Sequence, residues 1–243
     1  MRHFLARHLP RIGWSPVSGR NYERFCQLLL DASDRPRVLI VGGARIGNGL
    51  SCALDDPRVE WVESDIRRSD RTNLLCDGHN IPFEAGSFDG VIAQAVLEHV
   101  FDPNQVVAEF ARVLKPRGAV YSETPFLQQV HAGARDFTRF THLGHRRLFR
   151  HFVEVDSGPA SGPGTAFAWA CQAFVMSFLS GALSRRIGAA ATRVGLFWLK
   201  YADLVLLRRP GAFDASAAYY FLGRKGGTLQ DTQLLVGYRG AQV

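Results

Sequence analysis

Two acids stand at the ends of successive apolar segments in this 243-residue chain: Asp65 closes VEWVESDI at 59–66, and Asp77 lies within LLCDGHNIPF at 74–83. A carboxylate only accepts hydrogen bonds. Asp65 is therefore placed to receive both hydroxyls of a ribose, and Asp77 to receive the amino group of an adenine while the backbone of Gly78 or His79 meets the ring edge. Glu63 is the alternative ribose acceptor. Upstream, VLIVGGARIGNG at 38–49 sets Gly42, Gly43, Gly47 and Gly49 where the backbone must turn tightly and let a ligand approach without a Cβ in the way. A fourth segment, FDGVIAQAVLEHV at 88–100, ends in Glu98 and His99. Either acid alone could cap a turn, but acids after two successive strands suit the carboxyl edge of a nucleoside-binding sheet.

The elements that must hold these residues follow from periodicity. Short apolar runs predict strands at Arg37–Val41, Val59–Val62, Asn73–Cys76, Asp89–Ala93, Ala119–Glu123, Phe152–Asp156 and Ala217–Leu222. Helical stretches alternate with most of them. Tyr22, Phe25, Leu28 and Leu29 share one face of a lead-in helix. Asp102 followed by Pro103 marks a helix start, and Val106, Val107, Phe110, Val113 and Leu114 repeat at helical spacing before Pro116 to Gly118. A short basic helix is expected at His145–Phe152. The alternation predicts an α/β fold whose sheet is mostly parallel, with helices on both faces.

A pyridine-nucleotide enzyme is a minor alternative. The stretch Gly43-Ala44-Arg45-Ile46-Gly47-Asn48-Gly49 fits G-x-x-x-G-x-G, but that chemistry also needs a Tyr-x-x-x-Lys pair. Ala111, Leu196 and Phe221 stand four residues before Lys115, Lys200 and Lys225, the only lysines.

The glycine turn, Asp65, DGHNIPF, GSFDGVIAQAVLEHV and EFARVLKPRGAV together resemble the class I S-adenosylmethionine-dependent methyltransferases of the small-molecule type, over roughly residues 36–125. The resemblance implies a Rossmann-like sheet of seven strands, with a helical insert before the last. It places Gly42 and Gly43 beside the methionine part of S-adenosylmethionine, Asp65 at the ribose, Asp77 at the adenine and Gln94 beside the sulfonium, with Gly47 and Gly78 also expected to line the cofactor. The glycine turn is longer than that family's usual G-x-G-x-G. Downstream, TPFLQQVHAGARDFTRFTHLGHRRLF is similar to a subset of these enzymes in which this run overhangs the reacting methyl, which implies acceptor-site roles for His131, Asp136, Arg139 and His142; a loop that only closes the sheet is the plainer alternative. Transfer to a hydroxyl needs a base, and His131 and His99 are the candidates. Some quinone O-methyltransferases bind a metal through Glu-x-x-Glu-His. Ala95 replaces the first glutamate here, so no metal is expected. A non-catalytic cofactor-binding regulator or scaffold is the alternative from another class.

The formal charge of +7 comes almost wholly from arginine. A basic surface attracts phosphates, nucleic acid or anionic lipid alike, but no Asn/Asp-Pro-Pro-aromatic segment or Pro-Cys dipeptide supports nucleic-acid methylation. The expected acceptor is a small molecule, a sugar or a lipid-linked molecule, modified at oxygen. The four scattered cysteines form no C-x-x-C pair, and Arg7, His8 and Arg11 interrupt any export signal, so a reducing, cytoplasmic setting is expected. The chain divides into a helical lead-in (1–35), a cofactor-binding core (36–160), an apolar helical insert (161–215) and a last strand with tail (216–243). The insert reads as an amphipathic cover or, alternatively, as a surface for peripheral membrane contact through 165–209, flanked by Arg185-Arg186 and Arg208-Arg209.

Overall fold

Seven strands form one sheet in the computed structural model, which describes residues 9–44, 47 and 49–241. Arg45, Ile46 and Asn48 of the glycine turn and residues 1–8 of the lead-in lie outside the described residues. The strands are β1 (Arg37–Val41), β2 (Glu60–Asp65), β3 (Leu74–Leu75), β4 (Phe88–Gln94), β5 (Leu114–Pro125), β6 (Phe152–Ser161) and β7 (Ala218–Lys225). Their order is β3-β2-β1-β4-β5-β7-β6. The first five run parallel, and β7 lies antiparallel between β5 and β6. The sheet is thus mixed, with its parallel part holding both acid-ended strands.

β1 is almost continuously apolar because both of its faces are buried. Leu39 and Val41 join Val91, Ala93 and Val120 beneath Val106, Val107, Phe110 and Val113 of α3 (Pro103–Val113). Val38 and Ile40 face the other way, toward Tyr22, Phe25 and Leu29 of α1 (Ser18–Leu30). α1 sits so close to β4 that a Cβ on Gly90 would lie 2.7 Å from both Leu29 and Phe25. The short helix α2 (Leu50–Leu54) follows the glycine turn.

Asp102 caps α3, accepting from the Asn104 and Gln105 amides at 2.9 and 3.2 Å, with Pro103 at the first helical position. The apolar repeat overstates this helix by one residue. Leu114 has extended backbone and begins β5, paired with Phe88. The register then shifts around Arg117, whose φ is +64°, before Ala119 pairs with Gly90. The basic helix α4 (His142–Leu148) starts earlier than its charge pattern indicates, where Thr141 caps it by accepting from Gly144.

β6 runs further than Asp156, through Gly158 and Pro159 to Ser161. As the sheet's edge strand it tolerates a proline without losing a central ladder bond, and its register shifts between Pro159 and Ser161.

Between β6 and β7 stand α5 (Pro163–Ser177), α6 (Ala182–Leu196), a 3₁₀ segment (Phe197–Ala202), α7 (Asp203–Leu206) and α8 (Ala212–Ala215). A short helix, α9 (Asp231–Val236), follows β7. Asp203 is wholly buried and caps α5 from a distance. It accepts from the Gly164 and Thr165 amides at 2.7 and 3.1 Å and from the Thr165 hydroxyl at 2.8 Å. Only Gly164, Thr165, Ala166 and Ala168 of α5 and Thr192 of α6 are buried. Phe167, Phe174, Phe178, Leu183, Ile187 and Trp198 remain exposed. Among the described residues, no helix is long and apolar enough to cross a membrane.

Candidate active site

The glycine turn is fastened to the end of β2. Asp65, half-buried, accepts from the Ala44 amide at 3.1 Å through Oδ2 and from the Arg67 amide at 2.8 Å through Oδ1. Each oxygen keeps a second lone-pair site for a ligand. The Gly43 amide is taken by the Ser64 carbonyl at 2.9 Å, so its N–H is not offered to a phosphate or carboxylate. Gly42 adopts φ +77°, open to glycine at little cost, and a Cβ there would come within 2.4 Å of Val96. A Cβ on Gly43 would press on Glu63 at 3.1 Å, and one on Gly47 would overlap the Gln94 carboxamide. Glu63, the alternative to Asp65, is committed elsewhere: Arg71 clamps both of its oxygens.

Asp77 is exposed and accepts from His79 twice on Oδ1, from the amide at 3.0 Å and from ring Nδ1 at 2.6 Å. His79 Nε2 in turn accepts from the Asp102 amide at 3.1 Å, which places the ring proton on Nδ1. The His79 amide is the first cause holding the Asp77 carboxyl below its usual range. Gly78 is buried, with space for a Cβ only at 3.3 Å from Val106. The set fits an adenosyl group: two anionic acceptors on successive parallel strand ends, and a turn whose glycines admit no side chain.

Where β4 and β5 end, the chain turns sharply at Ala95, with φ +55°, a strained value for a residue with a Cβ. Gln94 donates to Glu123 Oε2 at 2.7 Å. Glu123 is buried, and its other oxygen accepts from Ser18 and Tyr121, both at 2.5 Å. Burial pushes its carboxyl up. Strand periodicity does not single this residue out; the signal for it is an acid inside AVYSETPF, an otherwise buried run.

The 3₁₀ turn Leu97–His99, rather than a longer helix, presents Glu98 and His99 to the loop after β5. The Glu98 carbonyl accepts from the Phe137 and Thr138 amides at 2.8 and 3.2 Å, which anchors that loop. His99 and His131 stack edge to face with centroids 4.9 Å apart. His99 Nδ1 donates to the Arg135 carbonyl at 2.7 Å. His131 Nδ1 lies 3.3 Å from Asp136 Oδ2, and the His131 amide donates to the same oxygen at 2.9 Å. Arg139 clamps Asp136 bidentately and reaches the Gln128 carbonyl at 2.9 Å. That pairing holds the Asp136 carboxyl far below its usual range. Burial lowers His131, keeping it neutral and able to accept a proton. The Glu98 side chain is wholly buried, neither of its oxygens has a hydrogen-bond partner among the described residues, and burial pushes it up to about 8.

Four of the five expected acceptor-site residues, His99, His131, Asp136 and Arg139, therefore meet, and Glu98 joins them. His142 does not. It is buried at the start of α4 with Nε2 2.9 Å from Ser157 Oγ and its ring against Phe213 and Tyr219, so its surroundings are the packing of β6, β7 and α8. Burial lowers it to about 4. His145 is likewise buried, 3.1 Å from Ser122 Oγ, and lowered to about 3. Both serve the core as neutral rings.

Residues 47–122 match a family model described as a methyltransferase domain. A 37.1 kDa protein in transposon TN4556 of Streptomyces fradiae is 39% identical over 122 residues, 44% of this chain and 35% of that protein, so the match spans about a third of the relative's length. Among solved structures, a sarcosine dimethylglycine methyltransferase from Galdieria sulphuraria has a similar fold, with TM-score 0.55, 18% identity and coverage of 92% of this chain and 96% of that one. Geranyl diphosphate C-methyltransferase from Streptomyces coelicolor A3(2), solved with S-adenosyl-L-homocysteine, gives TM-score 0.53 and 11% identity, covering 85% of this chain and 75% of that one. The methyltransferase-domain match thus runs from Gly47 of the glycine turn into β5, and the fold as a whole is shared with solved methyltransferases.

Proposed function

We propose that this protein is an S-adenosylmethionine-dependent methyltransferase that acts on an oxygen of a small-molecule, sugar or lipid-linked acceptor, held against His99, His131, Asp136 and Arg139. The observation that carries this reading is the meeting of two imidazoles and a clamped carboxylate just beyond the carboxyl ends of β4 and β5. S-adenosylmethionine supplies a methyl group already activated by its sulfonium. The chain's own task is to position the acceptor and take its proton. A hydroxyl brought to His131 Nε2 gives its proton to a ring that burial keeps neutral, and Asp136, 3.3 Å from Nδ1, shares the charge that forms. A screen of phenols, sugars and prenyl-linked alcohols with labelled cofactor tests this. Transfer only to nitrogen or carbon acceptors would overturn it.

On this reading Asp65 holds the ribose and Asp77 the adenine. Asp65→Ala is then expected to weaken S-adenosylmethionine binding by roughly 1.5–3 kcal/mol for each charge-assisted bond lost, more than tenfold in affinity. Calorimetry checks it. Unchanged affinity would remove the ribose assignment.

The lipid-linked option rests on the insert. Exposed Phe167, Phe174, Phe178, Leu183, Ile187 and Trp198 accompany exposed Arg185, Arg186, Arg208 and Arg209, while Asp203, the acid between 165 and 209, is buried. Apolar groups beside fixed positive charge match an anionic lipid surface. The protein is expected to co-sediment with phosphatidylserine-containing vesicles, less so at high salt. Changing the four arginines to glutamine should weaken binding by about 1 kcal/mol per residue. Protein left in the supernatant at low ionic strength would rule out this surface.

A further inference from the structure

Glu98 poses a problem that proton transfer to His131 does not solve. Its carboxyl is completely buried, and no hydrogen bond from another described residue reaches either oxygen. A buried carboxylate left in that state is costly unless a cation or strong donors meet it. The outer ring nitrogens of two histidines stand close to its Oε1, His99 Nε2 at 3.6 Å and His131 Nε2 at 3.9 Å. One ligand atom from each of the three residues lies within 4.8 Å of the others.

We propose that Glu98, His99 and His131 form a binding site for a divalent transition-metal ion of the zinc, cobalt or iron(II) type. Ligand type favours that class, since imidazole nitrogen selects it over magnesium or calcium. The distances are compatible: metal bonds of about 2.0 Å in a tetrahedral site put ligand atoms roughly 3.3 Å apart, a few tenths of an ångström less than the two histidine–glutamate separations. The ring orientations agree as well. His99 Nδ1 is occupied by the Arg135 carbonyl at 2.7 Å, and His131 Nδ1 faces Asp136 at 3.3 Å. Both tautomers thereby leave Nε2 as a lone pair toward Glu98, and a carboxylate or carbonyl behind each ring is the usual support of a metal-bound histidine. Arg139 locks that support by clamping Asp136.

Three protein ligands leave a position for water or for an acceptor oxygen. The histidine side chains are 25% and 33% exposed, so the open side faces solvent while Glu98 closes the other. Ala95 supplies no ligand where the quinone enzymes' motif has its first glutamate. The third ligand here is His131, brought in by the loop after β5, a placement invisible in the spacing of residues 95–99. The site's existence does not depend on the acceptor reading, but its use does: with an ion bound, a coordinated hydroxyl would lose its proton more readily, and His131 would act as ligand rather than base.

The test is direct binding to the full chain, stripped with chelator and supplied with no acceptor. Zinc calorimetry should give one ion per chain, and cobalt(II) should give the visible absorption bands of a low-symmetry site. Glu98→Gln and His131→Ala should each weaken zinc at least tenfold, and Asp136→Asn, behind His131, should weaken it less. S-adenosylhomocysteine binding by each variant reports that the fold persists; if Glu98→Gln does not fold, His99→Ala replaces it. Zinc or cobalt binding that is absent in the wild type, or that survives all of these substitutions, would overturn the site. A metal-binding protein that methylates no oxygen acceptor would instead sink only the acceptor proposal.

Discussion

Replacing His131 by alanine is expected to lower kcat by about a hundredfold or more while cofactor affinity and melting temperature stay near those of the wild type. The side chain is one-third exposed, so truncation leaves little core unfilled. The loop that carries it is held by other groups: the Phe137 and Thr138 amides on the Glu98 carbonyl, and Arg139 on Asp136 and the Gln128 carbonyl. The loss should therefore appear in turnover and not in folding. Asp136→Asn should show a milder fall, with the acidic limb of the pH–rate profile displaced, because it removes the charge beside Nδ1. Single-turnover rates and thermal melts on the same preparations check both. Parallel losses of activity and melting temperature would make His131 a structural residue.

The two buried histidines His142 and His145 should cost stability as the pH drops below about 6.5, the ordinary imidazole value, against the opposite contribution of Glu98 and Glu123, whose carboxyls burial pushes up. Burial lowers His145 to about 3 and His142 to about 4. At these two rings the folded state therefore binds fewer protons than the unfolded chain between those values and the ordinary one, and stability that is complete above the unfolded pKa is lost as pH descends through the folded ones. For His142, Arg146 and Arg239 add to the lowering and Glu154 opposes it; for His145 the neighbouring His142 adds to burial. A tenfold weakening of proton binding on folding is worth about 1.4 kcal/mol, so the two rings together represent on the order of a few kcal/mol, a large part of a domain's margin. Urea unfolding at pH 7.5, 6 and 5 measures the slope. His145→Gln keeps a partner for Ser122 but does not titrate, and should lose less stability toward pH 5 than the wild type. An unchanged slope in that variant would refute the assignment.

Much of the core and the strand-end acids was legible in the linear chain because their signals are local. β1 is a continuous apolar run, α3 announces itself with Asp102-Pro103, and Asp65 and Asp77 stand at strand ends where a parallel sheet presents its ligands. What the tertiary structure alone decided concerns contacts made across long separations. Glu63 and Asp65 are chemically alike and two residues apart, and only Arg71 shows which one is engaged. His131 and His142 have equal standing in one histidine-rich run, yet one meets His99 beyond the sheet edge and the other is enclosed by β6, β7 and α8. Asp203 resembles a polar point on an apolar helix until it is seen capping a helix that begins forty residues earlier in the chain. Periodicity records which face of an element is apolar; it carries no information on which distant group a buried charge will meet, and burial makes that partner decisive by removing water as the alternative.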